Sequence, residues 1–393
     1  MKYNFDEIIK RDNTRSVKYD LRIPLFGEQN VIPMWVADMD FATPSFILDD
    51  VKEQLSSAVM GYPIRDSGFE NALKSWLEKR HSISIHHSWV KFSPGIVSAL
   101  VVLIEAFTKK GDGILIQPPV YHPFIEVPLK HERRLIQNPL KLENDKYCID
   151  FEDFENKLTE SSMFILCNPH NPVGRSWTRD EMQKMAELCA KHDVLLVSDE
   201  IHSDLIFVPF KHESVLSLPK IQNLRQVTCF SPSKTFNLAG FFTSAVVIAD
   251  PKMRQNYSET IQKWHMNSGN IFSQTSFVSA YEKGEEWLNQ LLSYLSVNLD
   301  FTRDYLKQNI PNIKLIEPQA TYLLWLDFRN LGMDDKTLRD FIIRKAGLGL
   351  SDGFTFGDGG SGFMRMNIAC PKSVVETALK QLSEAIKAIR END

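Results

Sequence analysis

The sequence predicts an α/β protein: a large, mostly parallel sheet covered by helices, followed by a smaller second α/β domain. Short apolar runs alternate with helical stretches in the order strand, loop, helix, strand. Polar residues capable of chemistry stand directly after those runs, where open parallel sheets take their ligands. Beyond the apolar run 244–248, a long helical stretch at 285–309 leaves the main sheet, and shorter strands and helices follow it.

Helical periodicity spans 47–59 and 68–80, with Phe69, Leu73, Trp76 and Leu77 on one side of the second run. Gly61-Tyr62-Pro63 must turn the chain between them. A helix over 95–109 starts from Ser93-Pro94-Gly95, and a strand over 113–117 ends in Pro118-Pro119. Strand 163–167 runs into Asn168-Pro169-His170-Asn171-Pro172, helix 180–192 precedes strand 194–198, and strand 225–230 runs into Ser231-Pro232-Ser233-Lys234. Strands at 323–328 and 362–368 with helices at 335–345 and 372–390 complete the chain. The expected division is an amino-terminal segment, 1–48, that contributes to the small domain and the active site, a large domain at 49–288, and a small domain at 289–393.

At 393 residues, 43% hydrophobic and 24% charged, the chain can bury a sizeable core and gives no disorder signal. A net charge of −5 argues against a nucleic-acid partner. Residues 1–15 lack the apolar core of a signal peptide, so a cytoplasmic address is expected, with no membrane association. Five scattered cysteines without CxxC spacing, and ten histidines without HExxH, predict reduced packing thiols and no metal.

The strand exits suggest one ligand. Lys234, after a strand and flanked by Ser231 and Ser233, could hold its amine in a cleft, where burial lowers its pKa and lets it form a Schiff base with an aldehyde. Asp199, closing its strand, could pair with a protonated pyridine nitrogen, though capping a following helix is a competing use of that carboxylate or of Glu200. Asn171 could donate to a phenolate oxygen, and Tyr121 could stack on a ring. Gly95, Ile96 and Val97 offer consecutive amides to a phosphate, with Ser231 and Ser233 adding hydroxyls.

Taken together, Trp35 to Phe41, Gly61-Tyr62, Ser93-Pro94-Gly95-Ile96-Val97, Tyr121-His122-Pro123, Asn168 to Gly174, Ser198 to Asp204, Ser231 to Gly240 and Arg365 to Ala369 resemble the fold-type I, aspartate-aminotransferase-like pyridoxal-phosphate enzymes. Within them the MalY/PatB group of cystathionine beta-lyases is the nearest in pattern. The resemblance implies pyridoxal 5′-phosphate on Lys234, with Asp199 at its pyridine nitrogen, Asn171 at its phenolate oxygen and Tyr121 over its ring. It also implies Arg365 as the clamp for a substrate carboxylate, the backbone of Trp35 to Phe41 beside the substrate with Asp38 as a substrate-binding residue, and a homodimer in which Tyr62 reaches the partner's phosphate. Commoner aminotransferases have tyrosine where His202 stands beside the cofactor, and arginine where Phe242 stands. Both departures resemble the lyase group. The implied reaction cleaves L-cystathionine or a related cysteine S-conjugate to a thiol, pyruvate and ammonia, a step in sulfur amino acid metabolism and methionine biosynthesis. An aminotransferase shares the initial proton abstraction and is the main alternative. A regulatory binding protein on the same scaffold is another.

Overall fold

The computed structural model describes residues 3–390. Met1 and Lys2 of the expected amino-terminal segment, and residues 391–393 of the expected small domain, lie outside it. The main sheet has seven strands in the order Val90–Ser93, Ser244–Val247, Gln226–Phe230, Leu195–Asp199, Met163–Cys167, Gly113–Ile116, Arg134–Gln137. Ser244–Val247 runs antiparallel to both its neighbours, and the remaining pairs are parallel.

Side chains of a strand alternate between the two faces of a sheet. Met163, Ile165 and Cys167 accordingly join one core with Leu100 and Leu103 of helix Ile96–Phe107. Phe164 and Leu166 join the opposite core with Met182 and Met185 of helix Arg179–Lys191. Dry packing on both faces is why these strands read as unbroken apolar runs. Helix Arg179–Lys191 begins with a reciprocal cap: the Thr178 hydroxyl accepts from Glu181 N at 3.3 Å, and the Glu181 carboxylate accepts from Thr178 N at 2.8 Å.

A second, antiparallel sheet takes the order Lys314–Ile316, Leu323–Asp327, Phe363–Asn367, Ser351–Asp352. Helix Glu285–Asn309 is continuous across residue 289, where the division between domains was expected. The amino-terminal chain returns to this region, because Ile32–Pro33 pairs in parallel with Leu348–Gly349. Among the described residues no helix is long and apolar enough to cross a membrane, and no group of three metal-ligating side chains occurs. All five cysteines are free thiols.

Two helices depart from the sequence expectation. Pro251–Lys263 buries only Tyr257 and Ile261, so its apolar face is too thin to show a period. Ile271–Lys283 buries Ser273, Ser276 and Ser279 beside Phe277 and Ala280, so its inward face is disguised as polar. Ser276 donates to Phe272 O of its own helix at 2.7 Å, whereas Ser273 and Ser279 donate to other segments, at Phe241 O (3.3 Å) and Phe46 O (3.5 Å).

Asn298, on the long helix, is fully buried and donates to Ile368 O at 3.0 Å and Cys370 O at 2.9 Å. An alanine there strips a donor from two buried carbonyls. Asn298→Ala is expected to cost about 2–4 kcal/mol, visible as a lowered thermal-unfolding midpoint with unchanged helical circular dichroism at room temperature.

Candidate active site

The carboxyl ends of the main strands open into one cavity of about 300 Å³. Five strand exits feed it. Val90–Ser93 leads to Gly95, Ile96 and Val97, Gly113–Ile116 to Tyr121, and Met163–Cys167 to Asn171. Leu195–Asp199 brings Asp199 and then His202, while Gln226–Phe230 brings Ser231, Ser233 and Lys234. A chain packed dry on both faces of its sheet can place these polar groups together only beyond the strand ends.

Lys234 lies on a single helical turn, Pro232–Thr235, capped by the Ser231 hydroxyl accepting from Ser233 N. Its stem turns inward and Nζ donates to Ala37 O at 2.9 Å. The same carbonyl accepts from the Tyr322 hydroxyl, also at 2.9 Å. Arg365 does not line the cavity itself but stands behind Asn171, which does: it donates from Nη1 to Asn171 Oδ1 at 3.0 Å and from Nη2 to Trp35 O at 2.8 Å. Its Nε is buried with no hydrogen-bond partner. Because the Asn171 oxygen is taken, the amide nitrogen is the part of that side chain left to donate elsewhere.

The end of the cavity nearest helix Ile96–Phe107 suits an anion. Gly95 starts that helix without a side-chain cap, and a Cβ added there would meet nothing within 4 Å. Uncapped amides at a helix start attract negative charge. Ser231 Oγ donates to Thr243 O at 2.8 Å and stands 3.0 Å from Ser233 Oγ, while Thr243 Oγ1 is buried without a partner. Phe242, where an arginine was noted as missing, lines the same end with φ +50° and an exposed ring.

Burial sets the charge states. It pushes the Asp199 carboxyl up to about 7, against an opposing bond from Ile201 N at 3.1 Å and the attraction of Lys234. It pulls Lys234 down to about 8, while Asp38 and Asp199 pull the other way. His202 is held neutral, near 3, by burial and then by the positive charges of Lys234 and Arg365. Its Nδ1 is buried and unpaired, and its ring packs edge-on to Tyr322 with centroids 6.2 Å apart. Tyr121 is likewise raised by burial, which keeps the phenol neutral.

Two expected residues stand apart. The Asp38 side chain turns away from the cavity into a cluster with Arg11 Nη2 at 2.6 Å and Lys18 Nζ at 3.8 Å. Asp40 joins it, 2.6 Å from Arg11 Nη1 and 2.8 Å from Lys18 Nζ. That segment meets the cavity through Ala37, whose carbonyl accepts from Lys234, so its backbone borders the site as expected while the Asp38 side chain does not. Tyr62 is fully exposed, away from the cavity of its own chain. Tyr322 and Thr243 are the contributors that sequence reasoning passed over. Tyr322 was hidden at the start of an apolar strand, and Thr243 carries no motif.

This combination of fold and site defines a class. A family model for aminotransferase class I and II matches residues 29–382, and the chain belongs to that family. It is 41% identical over 385 residues to the cystathionine beta-lyase PatB of Bacillus subtilis, spanning 98% of this chain and 100% of that protein. Its fold is similar to that of cystalysin from Treponema denticola, a structure containing pyridoxal 5′-phosphate, with a TM-score of 0.93 and 35% identity over 99% of this chain and 100% of that one. A pyridoxal-phosphate-bound C-S lyase from Staphylococcus hominis matches with a TM-score of 0.90 and 32% identity over 98% of each chain.

The raised Asp199 carboxyl has a measurable consequence. Its folded pKa, about 7, lies above the ordinary aspartate value of 3.8, so the folded cofactor-free protein holds a proton that the unfolded chain releases. Cofactor-free protein is therefore expected to lose stability as pH rises from about 4 to about 7 through this group. Asp199→Asn, without cofactor, should melt higher than the parent at pH 8, and the gap should close towards pH 4. A constant gap across that range would assign the effect to something other than ionisation.

Proposed function

We propose that this protein is a cytoplasmic, homodimeric pyridoxal-phosphate-dependent carbon-sulfur beta-lyase that cleaves L-cystathionine or related L-cysteine S-conjugates. The observation that carries it is the gathering, in one cavity, of the Lys234 amine, a buried Asp199 carboxylate without a close cation, and an open helix start. The cofactor's groups match those features. An aldehyde suits the amine, a ring nitrogen that can carry positive charge suits Asp199, and a phosphate suits the Gly95, Ile96 and Val97 amides with the Ser231, Ser233 and Thr243 hydroxyls. When bound, pyridoxal phosphate supplies an electron sink that stabilises negative charge at the substrate α-carbon and lets a β-thiolate depart.

The chain's own residues do the rest. Lys234 would hold the cofactor aldehyde, and its free amine would take the α-proton on Nζ. An amine lowered to about 8 is largely protonated at neutral pH yet loses that proton within reach of it, as a general base needs. Asp199 would pair with the ring nitrogen, Asn171 would donate from the amide nitrogen that Arg365 leaves free, and Tyr121 would stack on the ring. Arg365, with Nε unpaired and its charge retained, binds the substrate carboxylate in a planar, forked geometry. Neutral His202 adds polarity beside Lys234 without adding charge. The released thiol and the pyruvate and ammonia formed in water place the enzyme in sulfur amino acid metabolism, with homocysteine as the thiol from cystathionine and methionine biosynthesis as its use.

Tyr62 completes the site from the partner subunit. Full exposure on a glycine-proline turn suits a side chain that is covered only across an interface. With Phe242 in place of an arginine, phosphate retention depends more heavily on its hydroxyl.

Purified protein given L-cystathionine and no keto acid is expected to release thiol and pyruvate in equal amounts; a requirement for an added keto acid would instead identify a transaminase. Borohydride should fix the cofactor on Lys234, and Lys234→Ala should lower turnover by about 10²- to 10⁴-fold. Mapping the reduced adduct to another lysine would overturn the assignment.

Tyr62→Phe is expected to weaken cofactor binding by about tenfold, the loss of one hydrogen bond to a charged group. In a mixed dimer of Lys234→Ala and Tyr62→Phe subunits, the intact lysine site receives a wild-type tyrosine from across the interface. Cofactor affinity there should match the parent; affinity equal to the Tyr62→Phe homodimer would place the contact within one subunit.

A further inference from the structure

On the side of Lys234 away from the cavity, a buried carboxylate holds the next residue along the chain. Asp204, in the turn that follows Asp199, accepts from Thr235 Oγ1 at 3.0 Å, Trp76 Nε1 at 3.0 Å and His81 Nε2 at 2.8 Å. Thr235 is fully buried, and Asp204 is 5% exposed. Burial alone would push this carboxyl up, but His81, Arg80 and Thr235 outweigh it and hold the group below the ordinary carboxylate range. Trp76 and His81 both belong to helix Gly68–His81, whose inner face also buries Phe69, Leu73 and Leu77.

The turn that carries Lys234 is four residues long. One helical turn fixes several backbone torsions for a single hydrogen bond and has almost no stiffness of its own. Its orientation must therefore come from tertiary bonds. Ser231 fixes its start through Thr243 O, and Asn237, just beyond it, accepts from Met39 N at 3.0 Å. Between them, next to Lys234, the Thr235 hydroxyl bonds Asp204 on a distant segment, whereas the Ser233 hydroxyl meets only Ser231 within the same turn, so the Thr235 bond is the one that sets the rotation of the turn about its axis. That rotation decides where the lysine stem points.

We propose that Asp204 is a positioning residue for Lys234, acting through the Thr235 hydroxyl. This rests on the role given to Lys234 above. Asp204 touches neither substrate nor cofactor. It confines the amine to the arc from which it can both capture the cofactor aldehyde and reach the α-proton. Small misplacements of a reacting group are costly, about 10²-fold in rate for 1 Å.

Thr235→Val and Trp76→Phe each remove one hydrogen bond to the same carboxylate, but only the first releases the turn that carries Lys234. Thr235→Val should lower kcat by about 10- to 100-fold with KM within about threefold. It should also slow the capture of pyridoxal phosphate by cofactor-free protein, followed as growth of visible absorbance that borohydride fixes on Lys234. Thr235→Ser should restore both. Trp76→Phe should lower the thermal midpoint comparably yet leave kcat and capture rate within about twofold of the parent, because the hydroxyl bond is kept. If valine leaves too little folded protein, Thr235→Ala makes the same comparison. Equal losses of kcat and capture rate in the Thr235→Val and Trp76→Phe proteins, tracking lost stability, would overturn the proposal, as would parent-like behaviour of Thr235→Val. Capture needs no turnover, so a parent protein that binds cofactor on Lys234 but makes no pyruvate would refute the lyase function and leave this test standing.

Discussion

Dry packing on both faces of the seven-stranded sheet is the constraint from which the site follows. Alternate side chains of Met163–Cys167 and Leu195–Asp199 enter two separate apolar cores, and a charge on either face would be stranded. Only past the last paired residue of each strand can the chain present a carboxylate, amide or amine. Asp199 sits at that limit, still paired with Cys167 in the ladder while its carboxylate faces the cavity. The amino-terminal chain brings Ala37 to the cavity from a bend, and the second sheet brings Arg365 against Asn171.

One cause, desolvation, moves the cavity's titratable groups towards neutrality in both directions. The acid Asp199 rises, while the bases Lys234 and His202 fall. Asp204, only five residues from Asp199 and equally buried, is lowered because it has three donors where Asp199 has one backbone amide. Neighbouring carboxylates on one turn thus have opposite characters: one is satisfied by the protein and the other awaits a cationic partner.

Much of this was legible in the sequence because the strand exits carry distinctive residues. Lys234, Asp199, Asn171 and Tyr121 were found together, and Met163–Cys167 was bounded as observed. What escaped lacked a side-chain signal or carried a misleading one. The serine-faced helix Ile271–Lys283 hides its period because the side chains it buries are polar and are satisfied by backbone carbonyls. Asp38 lies on a segment that does border the cavity, but the chain bends there, and charge pairing with Arg11 and Lys18 holds its carboxylate elsewhere. Asp204 stood within a recognised motif, yet its partners, Trp76 and His81, are more than a hundred residues away.

The four-charge cluster of Arg11, Lys18, Asp38 and Asp40 ties the amino-terminal residues to the segment whose Ala37 carbonyl meets the Lys234 amine. Lys18 and Asp40 are almost wholly enclosed, and each ion inside such a cluster is tolerable only while its opposites remain. An isolated exchange at any one of the four leaves a charge stranded beside the carbonyl on which the Lys234 amine rests.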